Sequence, residues 1–349
     1  MKNFRIGFFP AHPAQFWMMK SLADCAPDNA EVVWFIRDKD VTLALARELN
    51  LNFVLVSKAG SGIIGNACEL FTNIFKFLYY SKRYNIDFWL SKYGSVNISS
   101  WLLRIDNFSF NDDDEDIVPL IAATSYPFAN KVLCTNWTRT KNFKNKIVKY
   151  RSFHELFYLH PSRFKKNRTR AYKVLEIDSH KPYALIRLSS MSAHHDIGES
   201  GVSSSLLSKV ITKLSNGLEI VISSETNLSG KLEDLQLNCE KKEQHNILAN
   251  AAILVTDSQT MAAEAAVLGV PNIRISSFAK RIGYLEALEE MKLTKGFKPD
   301  NESGILNHIN YLLNLTDSEV TAKLDYLLKN TLDPVPFFWN EICSYLNKG

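Results

Sequence analysis

The chain has 349 residues, 46% hydrophobic and 22% charged, an ordinary globular composition on a length that favours two domains over a single core. Its formal net charge of +4 is too small to mark a nucleic-acid binder, though it suits anionic ligands or membrane surfaces slightly. Five scattered cysteines (Cys25, Cys68, Cys134, Cys239 and Cys343), with no CxxC pair, argue against a disulfide frame or a zinc site and for reduced thiols in a cytoplasmic protein.

In chain order, "MKNFRIGFFP" holds a short apolar run broken by Pro10 and His12, which reads as a strand and not as a secretory leader. "EVVWFIR" and "NFVLVSK" are further apolar runs, separated by the helical stretches "FWMMKSLADCA" and "DVTLALARELN". Strand, helix, strand, helix, strand is the pattern of parallel βαβ units. In "IIGNACELFTNIFKFLYY" (Ile63–Tyr80), Asn66, Glu69, Asn73 and Lys76 interrupt the apolar run, so it is a poor spanning helix. It reads either as an amphipathic helix packed on the sheet or, with Lys82 and Arg83 after it, as a peripheral membrane contact through 63–83. "DFWLSKY" and "KVLCTNW" continue the alternation. The acidic "NDDDED" (Asn111–Asp116) between them is by default a solvated loop.

Around Phe153–Arg170 a basic stretch with Pro161 lacks periodicity and reads as a domain junction. The alternation then restarts. "YALIRLSS" is a strand, "SSSLLSKVITKLSNG" a helix closed by Gly217, "LEIVISSE" a strand, "EQHNILANA" a short helix, and "AILVTDS" and "PNIRISS" two more strands. Neither half carries a Walker lysine loop. "DPVPFFWNEICSYLNKG" closes the chain with an aromatic helix expected to cross back to the first domain. The expected division is 1–165, 166–325 and a final segment 326–349, with an α/β fold of two Rossmann-like domains.

The most informative stretch is "VTDSQTMAAEAAVLGVPNIRI" (Val255–Ile275). An apolar strand ends at Thr256-Asp257-Ser258, where open α/β sheets place their ligands, and an alanine-rich helix follows, ended by Gly269. The first turn of such a helix offers unpaired N–H groups and a positive dipole end, which suits a diphosphate. Glu264, less than two turns in, is placed to accept ribose hydroxyls. The alternative is that Ser258 is only an N-cap and Glu264 only an exposed helix residue.

"TDSQTMAAEAAVLGVP" resembles the nucleotide-sugar motif of GT-B enzymes, among them UDP-N-acetylglucosamine 2-epimerases and the transferases of peptidoglycan synthesis. Together with "HPAQFWMMKSL", "IRDKDVT", "FHELFYLHPSRF" and "YLEALEEMKL", it makes the chain, from about Ile6 to Phe297, similar to the prokaryotic GT-B-like family called domain of unknown function 354. That resemblance implies two Rossmann-like domains facing across a cleft, the acceptor on the first and the donor on the second. It carries donor contacts onto Ser258 and Glu264, with Gln259 and Thr260 at the helix start. It also implies metal-independent chemistry with no cofactor beyond the nucleotide-sugar substrate.

Other candidates follow from position. His12, directly after the first strand, is either a general base or a helix-start residue bonded to the backbone. Arg37-Asp38-Lys39-Asp40 either lines the cleft or forms a solvated loop. Within the acidic run the resemblance, whose relatives carry an Asp near the cleft, makes one of Asp112, Asp113 and Asp114 an acid/base candidate, and Asp113 is taken. Arg187, Ser189 and Ser190 are placed for phosphate and His194 or His195 for the sugar; adjacent histidines make a poor zinc site. Lys280 and Arg281 either touch donor phosphate or close a loop.

Three activities compete: a transferase moving a sugar, uridine-linked in its donor, to a glycan or lipid-linked hydroxyl in cell-surface polysaccharide assembly; a UDP-sugar 2-epimerase; and a non-catalytic nucleotide-sugar-binding subunit. The epimerase motif has paired glutamates, and Ala263 stands where the first would be. The expected location is the cytoplasm, including the inner face of the membrane.

Overall fold

The computed structural model describes residues 3–39, 41–58, 62–188, 202–224, 228, 230–277, 279 and 281–347. They divide into two compact units, Met1–Arg163 with Thr331–Gly349, and Phe164–Asn330.

In the first unit the described strands are β1 (Phe4–Phe8), β2 (Ala30–Asp38), β3 (Phe53–Lys58), β4 (Phe88–Leu90), β5 (Asp106–Asn111), β6 (Lys131–Thr135) and β7 (Ile147–Tyr150). They form one parallel sheet in the order β3-β2-β1-β4-β5-β6-β7. Helices α1 (Pro13–Asp24), α2 (Thr42–Glu48), α3 (Gly62–Arg83), α4 (Gly94–Leu103), α5 (Pro119–Ser125) and α6 (Leu156–Leu159) connect and cover it. Burial on both faces explains why β1 and β4 are nearly continuous apolar runs, whereas β5 buries Asn107, Ser109 and Asn111 alongside Phe108 and Phe110. Gly7 is required where β1 passes Trp89: a Cβ there would lie 2.4 Å from the indole ring.

Helix α3 packs inward through a partly polar face. Its inward face carries Glu69 and Asn73 with Phe77, all buried, whereas Phe71, Phe75 and Tyr79, one turn apart, are 61–70% exposed. The cause is Arg37, which lies in β2 and is buried. Its Nε donates to Glu69 Oε1 at 2.6 Å, its Nη2 donates to Glu69 Oε2, and its guanidinium lies 5.2 Å from the centre of the Tyr93 ring. Ser57 Oγ donates to the same carboxylate at 2.9 Å. The expected solvated loop at 37–40 is thereby corrected at Arg37, which is 3% exposed, because a buried guanidinium holds a bidentate carboxylate partner. Asp40 lies outside the described residues.

The second unit contains β8 (Tyr183–Leu188), β9 (Glu219–Ser224), β10 (Ile253–Thr256), β11 (Asn272–Ile275) and β12 (Gly296–Phe297), parallel in the order β12-β11-β10-β8-β9. Its helices are α7 (Arg168–Leu175), α8 (Ser204–Leu214), α9 (Gln244–Asn250), α10 (Gln259–Val267), α11 (Gly283–Glu290), α12 (Glu302–Leu313) and α13 (Asp317–Lys329). Alternation along β8 sends Ala184, Ile186 and Leu188 into one apolar layer with α8 and α12, and Tyr183 and Leu185 into the other with α9 and α10. Gly269 follows α10 at φ +71, the left-handed conformation that terminates a helix at least cost to glycine. Helix α8 ends at Leu214, short of Gly217.

The last helix, α14 (Pro334–Leu346), belongs to the first unit. Trp339 Nε1 donates to Leu22 O at 3.0 Å, Phe338 packs edge-on to Phe157 at 4.7 Å, and Arg163 clamps Asp333 with two 2.7 Å hydrogen bonds.

Candidate functional site

In each sheet the chain reverses its direction of strand addition once, and the carboxyl ends flanking that reversal are where open α/β sheets hold ligands. In the second unit the switch lies between β8 and β10. Arg187 closes one side and Asp257-Ser258 the other, with the Asp257 N–H directed at Arg187 O at 3.4 Å. Thr256 Oγ1 accepts from the Ser258 N–H at 2.9 Å, and Ser258 Oγ accepts from the Met261 N–H at 3.3 Å. Ser258 is therefore the N-cap of α10, and a capping hydroxyl keeps its own O–H to donate to an anion. Gln259 and Thr260, both part-exposed, form the first turn. Arg187 Nη1 donates to Ser223 Oγ at 3.0 Å, which ties it to the end of β9.

Glu264 is not an exposed helix residue. It is 3% exposed, and its Oε1 lies 3.1 Å from Nε2 of His245 on α9, itself buried. The small side chains Ala262, Ala263, Ala265 and Ala266 let α10 sit close on the sheet, which draws Glu264 inward with them. A buried carboxylate needs a donor, and His245 supplies one. Nothing in "EQHNILANA" marks that histidine, since its partner lies on another helix. Arg281 is exposed in the loop after β11. Ser189, Ser190, His194, His195 and Lys280 lie outside the described residues.

In the first unit the switch falls between β1 and β4. His12 caps α1 there, its Nδ1 accepting from the Ala14 N–H at 3.3 Å while the residue stays exposed. Pro13 at the first helical position lacks the N–H that would otherwise need a partner. Opposite it, Lys92 follows β4 and is buried, its Nζ donating to Asp112 Oδ1 at 3.0 Å and to Asp113 Oδ2 at 2.7 Å. Burial opposes the Lys92 charge, but the two carboxylates outweigh it and raise its pKa above the usual lysine value. Burial likewise opposes ionisation of Asp112, and the Lys92 ammonium, with His154 nearby, outweighs it and holds this carboxyl well below the usual aspartate range.

The acidic run is thus not wholly a solvated loop: Asp112 and Asp113 share Lys92, and only Asp116 is exposed. Asp114 accepts from the Arg139 N–H at 2.7 Å, and Glu115 accepts from the N–H groups of Lys141 and Asn142 at 2.6 and 3.0 Å. Asp113, part-exposed, is brought to Lys92 and Asp112. His154, unmarked by sequence reasoning, is buried against Phe110, and its Nε2 lies 3.3 Å from Ala14 O. A carbonyl can only accept, so Nε2 carries a hydrogen, and Nδ1 has no hydrogen-bond partner among the described residues. Among the described residues no group of three or more His, Cys, Asp or Glu side chains is placed to hold a metal ion.

No protein-family model and no curated protein sequence matches the chain. Solved structures do match its fold. A UDP-GlcNAc 2-epimerase from Neisseria meningitidis bound to UDP-GlcNAc aligns with TM-score 0.67 at 12% identity, over 100% of both chains. MurG of Acinetobacter baumannii aligns with TM-score 0.57 at 11% identity, over 98% of this chain and 100% of its own. The spinosyn forosaminyltransferase SpnP aligns with TM-score 0.61 at 12% identity, again over 98% and 100%. The fold is accordingly that of two parallel-sheet, Rossmann-like α/β units of the GT-B type.

Proposed function

We propose that the chain is a GT-B glycosyltransferase using a nucleotide-sugar donor, uridine-linked like the ligand of the Neisseria structure. The observation that carries the donor reading is the second unit's switch point. There a capped helix start, Ser258 with Gln259 and Thr260, stands beside Arg187, with Glu264 held by His245 less than two turns along. N–H groups and the dipole of α10 would take the diphosphate, and Glu264 the ribose. Ser189, Ser190, His194 and Arg281 are assigned to the donor by sequence position, and the order of motifs along the chain supports a place in domain of unknown function 354.

Transfer requires an acceptor hydroxyl oxygen to bond to the anomeric carbon while the carbon–oxygen bond to the diphosphate breaks. Its electron pair leaves with the nucleoside diphosphate and the hydroxyl proton goes to a base. His12, exposed at the first unit's switch point, is assigned as that base, and Asp113 as the carboxylate that orients the acceptor. No metal ion or cofactor is assigned to this step.

Epimerisation has equal support from the fold comparisons, because epimerases are among the structural neighbours. It requires a carboxylate that exchanges a proton with carbon. The Lys92 ion pair argues for transfer, since a carboxylate held ionised as Asp112 is makes a weak base. The deciding experiment incubates purified protein with UDP-N-acetylglucosamine, with and without glycan acceptors. Acceptor-dependent release of nucleoside diphosphate is expected, and formation of the 2-epimer without acceptor would replace this reading by the epimerase one.

We also assign the outward aromatic row of α3 to contact with an anionic membrane surface, where a lipid-linked acceptor would be met. Phe71, Phe75 and Tyr79 are exposed in line, and Lys82 and Arg83 follow at the helix end. Among the described residues no helix is long and apolar enough to cross a membrane. The location that follows is the cytoplasmic face of the membrane.

A further inference from the structure

The second unit contains a cavity of about 280 Å³ at the amino-terminal edge of its sheet, under α12 and α13. In a parallel sheet this is the end opposite to Arg187 and Ser258, so it is separate from the donor site. Its volume falls just under the ~300–1,000 Å³ usual for small-molecule sites. Val270, Leu293, Leu312 and Val320 give it apolar walls.

Its charged groups are unbalanced. Lys292, Lys295, Lys323 and His308 line it against one acid, Glu289. That carboxylate is turned elsewhere: Glu289 Oε1 accepts from the Gly296 N–H at 3.1 Å and lies 4.0 Å from Arg274 Nη2. Glu319, one turn before Lys323, directs its carboxylate to the N–H and hydroxyl of Thr316. Among the described residues none of the three lysines forms an ion pair; Lys323 instead reaches the Tyr311 hydroxyl at 3.4 Å. The cations are near enough to feel one another, since burial and then Lys295 and Lys323 push the His308 pKa down. Lys292 is held at φ +59, a left-handed conformation costly for a side chain, at the lip of the same cavity.

Like charges gathered round an apolar hollow repel one another until an anion joins them. We propose that this cavity binds a small amphipathic anion, an apolar body bearing one phosphate or carboxylate head. The body would lie on Val270, Leu293, Leu312 and Val320, and the head among Lys292, Lys295 and Lys323. Thr294 and Asn272 already bond each other, Thr294 Oγ1 to Asn272 Oδ1 at 2.5 Å, and so make a satisfied polar floor.

The test uses the full chain, with hexyl phosphate and hexanoate as probes and hexanol and inorganic phosphate as controls, by calorimetric titration and thermal melting. Saturable binding of one or both amphipathic anions, with neither control saturating in the same range, is expected. The head group of the natural ligand follows from which probe binds tighter. Lys292→Glu with Lys323→Glu, at surface positions, should weaken that probe by about tenfold or more. Val320→Phe should fill the cavity and abolish binding. The proposal is overturned if no anion saturates, if inorganic phosphate binds as well as hexyl phosphate, or if the charge-reversed protein binds as tightly as the parent. Should Val320→Phe not fold, the charge-reversal pair decides alone.

Discussion

Removing the carboxylate of Glu264 tests the donor site and the pair that supports it at once. Glu264 is buried and its Oε1 meets His245 Nε2 at 3.1 Å, so Glu264→Ala removes both a ribose acceptor and the partner of a buried imidazole. A hydrogen bond to a charged group is worth ~1.5–3 kcal/mol, so UDP affinity should fall about ten- to a hundredfold. The helix itself favours alanine, but a stranded imidazole costs ~1–3 kcal/mol, so the fold should also lose about 2 kcal/mol. His245→Ala strands the carboxylate instead, and a buried charge without its partner costs more, about 3 kcal/mol. His245→Gln, which restores an N–H donor, should recover most of that. Urea unfolding gives the stabilities, and calorimetric titration with UDP under native conditions gives the affinities. If Glu264→Ala loses stability while the folded protein binds UDP as tightly as the parent, the pair is a core contact and the donor site lies elsewhere.

Lys92→Met should destabilise the first unit by about 3 kcal/mol in urea at neutral pH, the low end for a broken buried ion pair because Asp112 and Asp113 keep some solvent contact. Because Asp112 is held below its ordinary value of 3.8, its share of stability is present above that value and is lost as pH falls below it; the parent should show this acid slope and Lys92→Met should not. Phe71→Ser with Phe75→Ser and Tyr79→Ser should abolish co-sedimentation with anionic liposomes and leave the melting temperature unchanged or raised; equal sedimentation of parent and variant would remove the membrane assignment. His12→Asn keeps a side-chain acceptor for the Ala14 N–H, so acceptor-dependent turnover should fall by about a hundredfold or more with UDP binding and stability intact.

The alternating elements were legible because parallel strands covered on both faces read as apolar runs, and the ends of α10 were legible because capping is local: Ser258 meets an N–H three residues on, and Gly269 takes a positive φ. The partnerships within the sites were not. His245 and Glu264 are 19 residues apart, Lys92 and Asp112 are 20, and Arg37 and Glu69 are 32, each joined only through the sheet. The acidic run looked solvated because like charges repel in water, whereas the fold gives Asp112, Asp113, Asp114 and Glu115 donors from just after β4 or from the loop after β6. The packing of helix α3 was illegible for a related reason. Its sequence shows that one side is aromatic, but which side is covered was decided by Arg37 on another element.

The return of α14 to the first unit sets an order of events during synthesis. The seam that Trp339 and Phe338 fill, against Leu22 and Phe157, stays open until α14 leaves the ribosome. At roughly 5–20 residues per second, the intervening segment Phe164–Asn330 takes on the order of ten seconds or more to emerge. By the end of that interval the second unit has all of its own residues while the first, though begun earlier, still lacks its closing helix. A nascent chain of this design exposes apolar surface of its first unit for longest, so chaperones would be expected to engage that unit and release it only after α14 has emerged.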